Sequence, residues 1–191
     1  TGGLTPDSII ESVREVFQGS CVNIVEDIAI EIDKDQRVVK TTSDSYKYDY
    51  LVISTGAQTN YFNTIGAKEH SFTLKNLEDA ISLRNHILET CEIAFKTKNK
   101  DLLVTSIIGA GPTGVELSAE LQEYMQHTLC MYYKNSGFKK EDIKVNVITT
   151  TPDVISQFPQ KMRDYAMEEL KDRGINIITN SFVTKIEPNQ I

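Results

Sequence analysis

The run Gly109-Ala110-Gly111-Pro112-Thr113-Gly114-Val115-Glu116 constrains this chain more than any other feature. An apolar stretch at 102–108 leads directly into it, and Leu117, Leu121, Met125 and Leu129 then step by four residues. Strand, glycine turn and helix in that order open a βαβ unit whose turn can hold a dinucleotide. Gly109 permits the tight turn, Gly111 keeps a Cβ away from a pyrophosphate, and Gly114 lets the helix pack closely on the strand. Pro112 suits the first helical turn, where its missing N–H costs nothing. The other N–H groups of that turn, at the positive end of the helix dipole, would face the phosphates. A strand-to-helix turn of this kind also occurs without a nucleotide, so the surrounding pattern has to support the assignment. Glu116 keeps two readings: a carboxylate favoured near any helix start, or a group facing the nicotinamide end of a bound dinucleotide.

The surrounding pattern agrees. Residues 143–149 read as a strand, 159–173 as a helix ended by Gly174 at its C′ position, and 175–179 as a third strand. This alternation predicts an α/β fold with a parallel, Rossmann-like sheet and right-handed crossovers. Upstream the pattern differs. Thr5 and Pro6 predict a helix over 6–17, followed by β-branched runs at 22–32, 38–42 and 48–53 separated by turn clusters, which form a small β-meander. Ser54-Thr55-Gly56-Ala57 reads as a strand stopping at a glycine. Asn76 can cap a helix that gathers Leu77, Ala80, Ile81, Leu88, Cys91 and Phe95 on one face. Lys96 to Asp101 reads as a charged linker.

A formal net charge of −7 with no clustered Lys/Arg face argues against a nucleic-acid partner. No apolar run reaches the roughly 18 residues of a membrane-spanning helix. Cys21, Cys91 and Cys130 lack metal-ligand spacing, so reduced thiols and no metal site are expected, with Cys91 as a core residue. His70, His86 and His127 form no catalytic constellation. Tyr124, Tyr132 and Tyr133 cluster near the end of the long helix, where packing is favoured over contact with a partner or membrane. The first six residues predict no signal peptide. The start without Met and the strand-like end at 186–191 predict a soluble fragment of a longer polypeptide.

Residues 107–121, the long helix that follows with its 132–142 loop, residues 152–158, and the run Tyr48-Asp49-Tyr50-Leu51-Val52-Ile53-Ser54-Thr55-Gly56-Ala57 together resemble the type II NADH:quinone oxidoreductases. These are non-pumping, FAD-containing NADH dehydrogenases of the pyridine nucleotide-disulfide oxidoreductase superfamily. The resemblance implies a partial FAD-binding domain over 1–76 and an NAD(P)H-binding domain over 77–191. Gly109, Gly111, Pro112, Thr113 and Gly114 would cradle the NADH pyrophosphate, Glu116 would sit where nicotinamide meets flavin, and Thr55, Gly56 and Ala57 would border the FAD. It implies hydride transfer from NADH to FAD and electron delivery to a quinone. The full-length protein would be peripheral on a membrane, at its cytoplasmic face or on the mitochondrial inner membrane, with a homodimer left open.

Two departures stand out. The family's acidic residue at the end of the second strand, which grips the ribose hydroxyls, is replaced here by Thr149. NADH is still favoured over NADPH, because no Arg or Lys stands in the same run to compensate a 2′-phosphate. The main FAD-binding and membrane elements would lie outside these 191 residues, so the isolated chain is expected to bind FAD poorly. Two other functions stay open: a soluble FAD-dependent reductase of a disulfide, ferredoxin or sulfide, and a non-catalytic NAD(P)H-binding sensor module.

Overall fold

A computed structural model of the chain describes residues 10–133 and 137–191. The described residues divide into two compact units, one over 10–58 and one over Thr59–Ile191.

In the first unit, Ser12 caps a single helical turn, α1 (Val13–Val16), its hydroxyl accepting from the Glu15 N–H. The helix expected over 6–17 reduces to this turn among the described residues, residues 1–9 lying outside them. None of its side chains is buried, so its apolar residues find no packing to propagate it. The β-meander is present as β1 (Ala29–Asp33), β2 (Val38–Thr41) and β3 (Ser45–Lys47), joined antiparallel in sequence order. Its first turn is tied by the Asp33 carboxylate, which accepts from the N–H groups of Asp35 and Gln36. The second is tied by Asp27, which accepts from the hydroxyls of Thr42 and Ser43.

Two of the expected strands are corrected. Residues 22–28 stay outside the first strand, and residues 48–53 and the Ser54-Thr55-Gly56-Ala57 segment after them form no strand, with Tyr50 94% and Val52 88% exposed. A strand exists by pairing, and among the described residues no ladder forms there. Alternating apolar residues mark the segment without supplying its partner.

The second unit carries the parallel sheet. Its leading segments are α2 (Ala67–His70) and the 21-residue α3 (Leu77–Thr97), capped by the Asn76 side chain accepting from the Asp79 N–H as expected. A 3₁₀ turn at Lys100–Leu103 leads into β4 (Val104–Ile108), and the glycine turn then opens α4 (Pro112–Glu123). The helix continues as a π segment, Tyr124–Leu129, into the short α5 (Cys130–Tyr132). Strand β5 (Lys144–Ile148), α6 (Gln160–Asp172) and β6 (Asn176–Ile178) complete the unit. The strands lie side by side as β4-β5-β6, all parallel, in register from Val104 opposite Lys144 to Ile108 opposite Ile148. Gly174, at φ +77°, follows α6 in the expected place.

The core joins Leu103, Ile107, Val145 and Val147 of the sheet side to Cys91, Leu121, Met125 and Leu170 of the helices. The buried stripe of α3 runs through Ile87, Cys91 and Ala94. Ile81, expected on it, is 40% exposed, because the stripe turns toward Leu83 and Ile87. Residues 64–66 also belong to this unit. Thr64 donates its hydroxyl to the Val183 carbonyl, and the N–H groups of Ile65 and Ile186 bond to Thr184 and Ile65 in turn.

Candidate functional site

The glycine corner is set by the sheet beneath it. β4 ends at Ile108, and Gly109 turns the chain at φ +104°, a conformation open to a residue without Cβ. Its N–H donates to the Ile148 carbonyl at 2.8 Å, which pins the turn to the end of β5. The Ala110 carbonyl accepts from the Ile155 N–H at 2.7 Å, which brings the loop after β5 alongside.

Helix α4 then starts at Pro112 with Gly111 as its N-cap and no side chain capping it. The first intrahelical bond runs from the Val115 N–H to the Gly111 carbonyl. The N–H groups of Thr113 and Gly114 therefore have no acceptor within the helix and point out of its positive end. A Cβ on Gly114 would lie 2.0 Å from the Gly109 carbonyl oxygen, so only glycine lets helix and turn approach this closely. A Cβ on Gly111 would meet nothing within 4 Å. That space, in front of bare N–H groups, is where a diphosphate has room to approach.

From Thr113 a groove of about 230 Å³ runs along α4 past Glu116 and Glu120 to Tyr124, with Leu74 opposite. Both carboxylates are exposed, and neither has a hydrogen-bond or ion-pair partner among the described residues. Glu120 did not emerge from the sequence, although its spacing of four from Glu116 places it on the same helical face.

Thr149 follows β5 directly and is 7% exposed. Its N–H donates to the Ile178 carbonyl and its carbonyl accepts from the Ser181 N–H. Its hydroxyl lies 2.8 Å from that of Thr151, and the Thr151 hydroxyl donates to the Asp153 carbonyl at 2.7 Å. Asp153 pairs with Arg163 at 2.9 Å, and Arg163 also donates to the Gln160 side chain.

A parallel sheet with an uncapped, glycine-lined helix start at its carboxyl edge has many counterparts among known proteins. The sequence matches the pyridine nucleotide-disulphide oxidoreductase family over residues 5–191. The chain belongs to that family. It is 31% identical over 209 residues to the external alternative NADH-ubiquinone oxidoreductase, mitochondrial, of Yarrowia lipolytica, covering 100% of this chain and 35% of the other. It is 30% identical over 208 residues to the external alternative NAD(P)H-ubiquinone oxidoreductase B1, mitochondrial, of Solanum tuberosum, with 100% and 36% covered. Among solved structures, NDH2 from Plasmodium falciparum in complex with NADH superposes with a TM-score of 0.78 at 25% identity, over 93% of this chain and 38% of that one. The chain thus spans 35% to 38% of the length of these relatives.

Thr55, Gly56 and Ala57 belong to the first unit and are exposed. Gly56 has φ +73°, and a Cβ there would meet nothing within 4 Å. Among the described residues no group of His, Cys, Asp and Glu is arranged to hold a metal. His86 stacks on Phe72 at 4.6 Å. Cys91 is buried and Cys21 exposed, and the Cys130 side chain lies outside the described set. Tyr132 is 73% exposed. Tyr133 packs on Phe95 at 4.0 Å between centroids and donates to Glu92, whose carboxylate pushes the phenol up to about 12.

Proposed function

We propose that this chain is the NADH-binding middle portion of an FAD-dependent NADH:quinone oxidoreductase. The observation that carries this reading is the start of α4, where unpaired N–H groups of Thr113 and Gly114 face the space left open at Gly111. The neighbouring relatives, which include mitochondrial NADH-ubiquinone oxidoreductases, support the choice of donor and acceptor.

In this reading the unit over Thr59–Ile191 takes NADH and the unit before it contributes to the flavin side, with Thr55-Gly56-Ala57 bordering FAD. FAD, when bound, supplies the hydride acceptor and passes the electrons on to quinone. The chain's own residues hold and orient the donor. Gly109, Gly111, Pro112, Thr113 and Gly114 fix the pyrophosphate, and Thr149 stands at the adenosine end. Glu116, unpaired and one helical turn from the phosphates, faces the nicotinamide end of the groove. The full-length protein works at the surface of the mitochondrial inner membrane, and no helix among the described residues is long and apolar enough to cross it.

Titrating the chain with NADH should move the backbone amide resonances of Thr113 and Gly114. Unmoved resonances at saturating NADH would sink the reading. In the full-length protein, Glu116→Gln should slow NADH-driven quinone reduction while leaving the melting temperature in place. Surface substitutions without partners change stability by at most about 0.5 kcal/mol, so a large loss of fold would remove Glu116 from this role.

A further inference from the structure

We infer that the adenosine end of this site does not discriminate NADH from NADPH by charge. The inference rests on the nucleotide reading of the glycine corner and specifies the ligand class it admits. A dinucleotide lying on the start of α4 places its adenosine ribose at the end of the neighbouring strand, where a carboxylate selects the 2′-hydroxyl and an arginine selects the 2′-phosphate. Here neither is available.

The strand end is fixed against the glycine turn by the Gly109 to Ile148 bond, and the next residue is Thr149. Its hydroxyl proton goes to Thr151, because the Thr151 proton is already given to the Asp153 carbonyl. Both hydroxyl protons are thus consumed inside the loop, and no unpaired anion stands at this position to repel a phosphate. The charges joined to the same chain of bonds cancel each other. Asp153 is held by one terminal nitrogen of Arg163, the other terminal nitrogen donates to Gln160, and the Nε is buried away from solvent. At Thr149 itself a 2′-phosphate meets neither a cation that rewards it nor an anion that excludes it, and the charges in this chain of bonds, Asp153 and Arg163, are paired with each other. The missing cation alone favours NADH, but the missing carboxylate removes the repulsion that would enforce that choice, so selectivity between the two nucleotides is small.

Calorimetric titration of the full-length protein with NADH and NADPH, and with 5′-AMP and adenosine 2′,5′-bisphosphate as probes of this end alone, tests the inference. Dissociation constants within about tenfold of each other are expected for each pair, since charge is the main source of such discrimination. Thr149→Glu should then shift the ratio toward the unphosphorylated member by about 30-fold or more, and the shift should shrink with added salt. Thr149 is buried, so where that variant does not fold, Asp153→Asn carries the test. It releases Arg163 and should shift the ratio toward the phosphorylated member by about tenfold.

A wild-type preference for NADH beyond about 100-fold overturns the inference, as does a ratio unmoved by the folded variant, while both leave the nucleotide site standing. Failure of all four ligands to bind removes the nucleotide site itself, and the inference with it.

Discussion

Gly114→Ala and Gly111→Ala separate the two jobs that glycine performs at the start of α4. At position 114 the added Cβ would sit 2.0 Å from the Gly109 carbonyl oxygen and 3.1 Å from its carbon. Ordinary contact begins at 3.4 Å, so the helix start or the turn must retreat by more than 1 Å. The turn resists, since Gly109 is held by its N–H bond to Ile148. Overpacking of this kind costs about 1–3 kcal/mol, and two backbone segments meeting head-on place it at the upper end. Exchanging glycine for alanine inside a helix returns roughly 1 kcal/mol. The net loss is about 2 kcal/mol, or roughly 4–8 °C in melting temperature for a unit of this size.

The same displacement pulls the Thr113 and Gly114 N–H groups out of line, so NADH binding weakens as well. Gly111→Ala behaves differently. Its φ of −72° and ψ of 178° suit any residue, and open space surrounds the new methyl. Stability should hold or rise by up to about 1 kcal/mol. The methyl nevertheless occupies the approach of the pyrophosphate, and NADH affinity should fall at least about tenfold, roughly 1.4 kcal/mol. Scanning calorimetry and NADH titration of both variants read the two effects separately. A Gly114→Ala protein that melts like wild type would refute the packing account, and a Gly111→Ala protein that binds NADH normally would refute the ligand account.

The acid limb of stability should be carried by Asp27, Asp79 and Asp142, each held below the usual carboxylate range. The leading causes are the Ser43 hydroxyl for Asp27, the Lys75 N–H for Asp79 and Lys100 for Asp142. Their unfolded values lie at about 3.8, so between that value and the depressed folded ones the unfolded chain binds more protons. Stability is therefore full above about pH 5 and falls as pH drops through this window. Asp79→Asn should lower the melting temperature at neutral pH and flatten its acid dependence, and an unchanged acid limb would contradict the assignment. On the alkaline side Tyr133, pushed up to about 12 chiefly by its bond to Glu92, keeps its proton longer in the folded state. Melting temperature should hold below about pH 10 and fall from there toward 12. Tyr133→Phe should lack that portion of the fall.

The parts of the fold legible in the sequence are those whose causes are local. The glycine turn, the Asn76 cap and Gly174 after α6 depend on backbone conformations and capping groups that neighbouring residues specify by themselves. β4, β5 and β6 were recoverable because short apolar runs between helices fit a parallel sheet covered by helices. The misses share the opposite property. Residues 48–53 carry strand-like residues, but pairing is supplied by another segment, and the apolar alternation of Tyr50 and Val52 is silent about where that segment lies. The stripe of α3 was displaced from Ile81 toward Ile87 because neighbours elsewhere in the chain decide which edge of an apolar face is covered.

At the site the same division recurs. The glycines and Glu116 announce themselves by spacing, whereas the state of Thr149 does not. Its hydroxyl is spent on Thr151 only because Thr151 in turn reaches the Asp153 carbonyl, and Asp153 is neutralised only because α6 returns Arg163 to it. A threonine at the end of β5 is visible in one dimension. Whether it leaves a free donor, a free charge or neither is decided by a chain of bonds spanning Thr149 to Arg163, in which Asp153 and Arg163 are paired with each other.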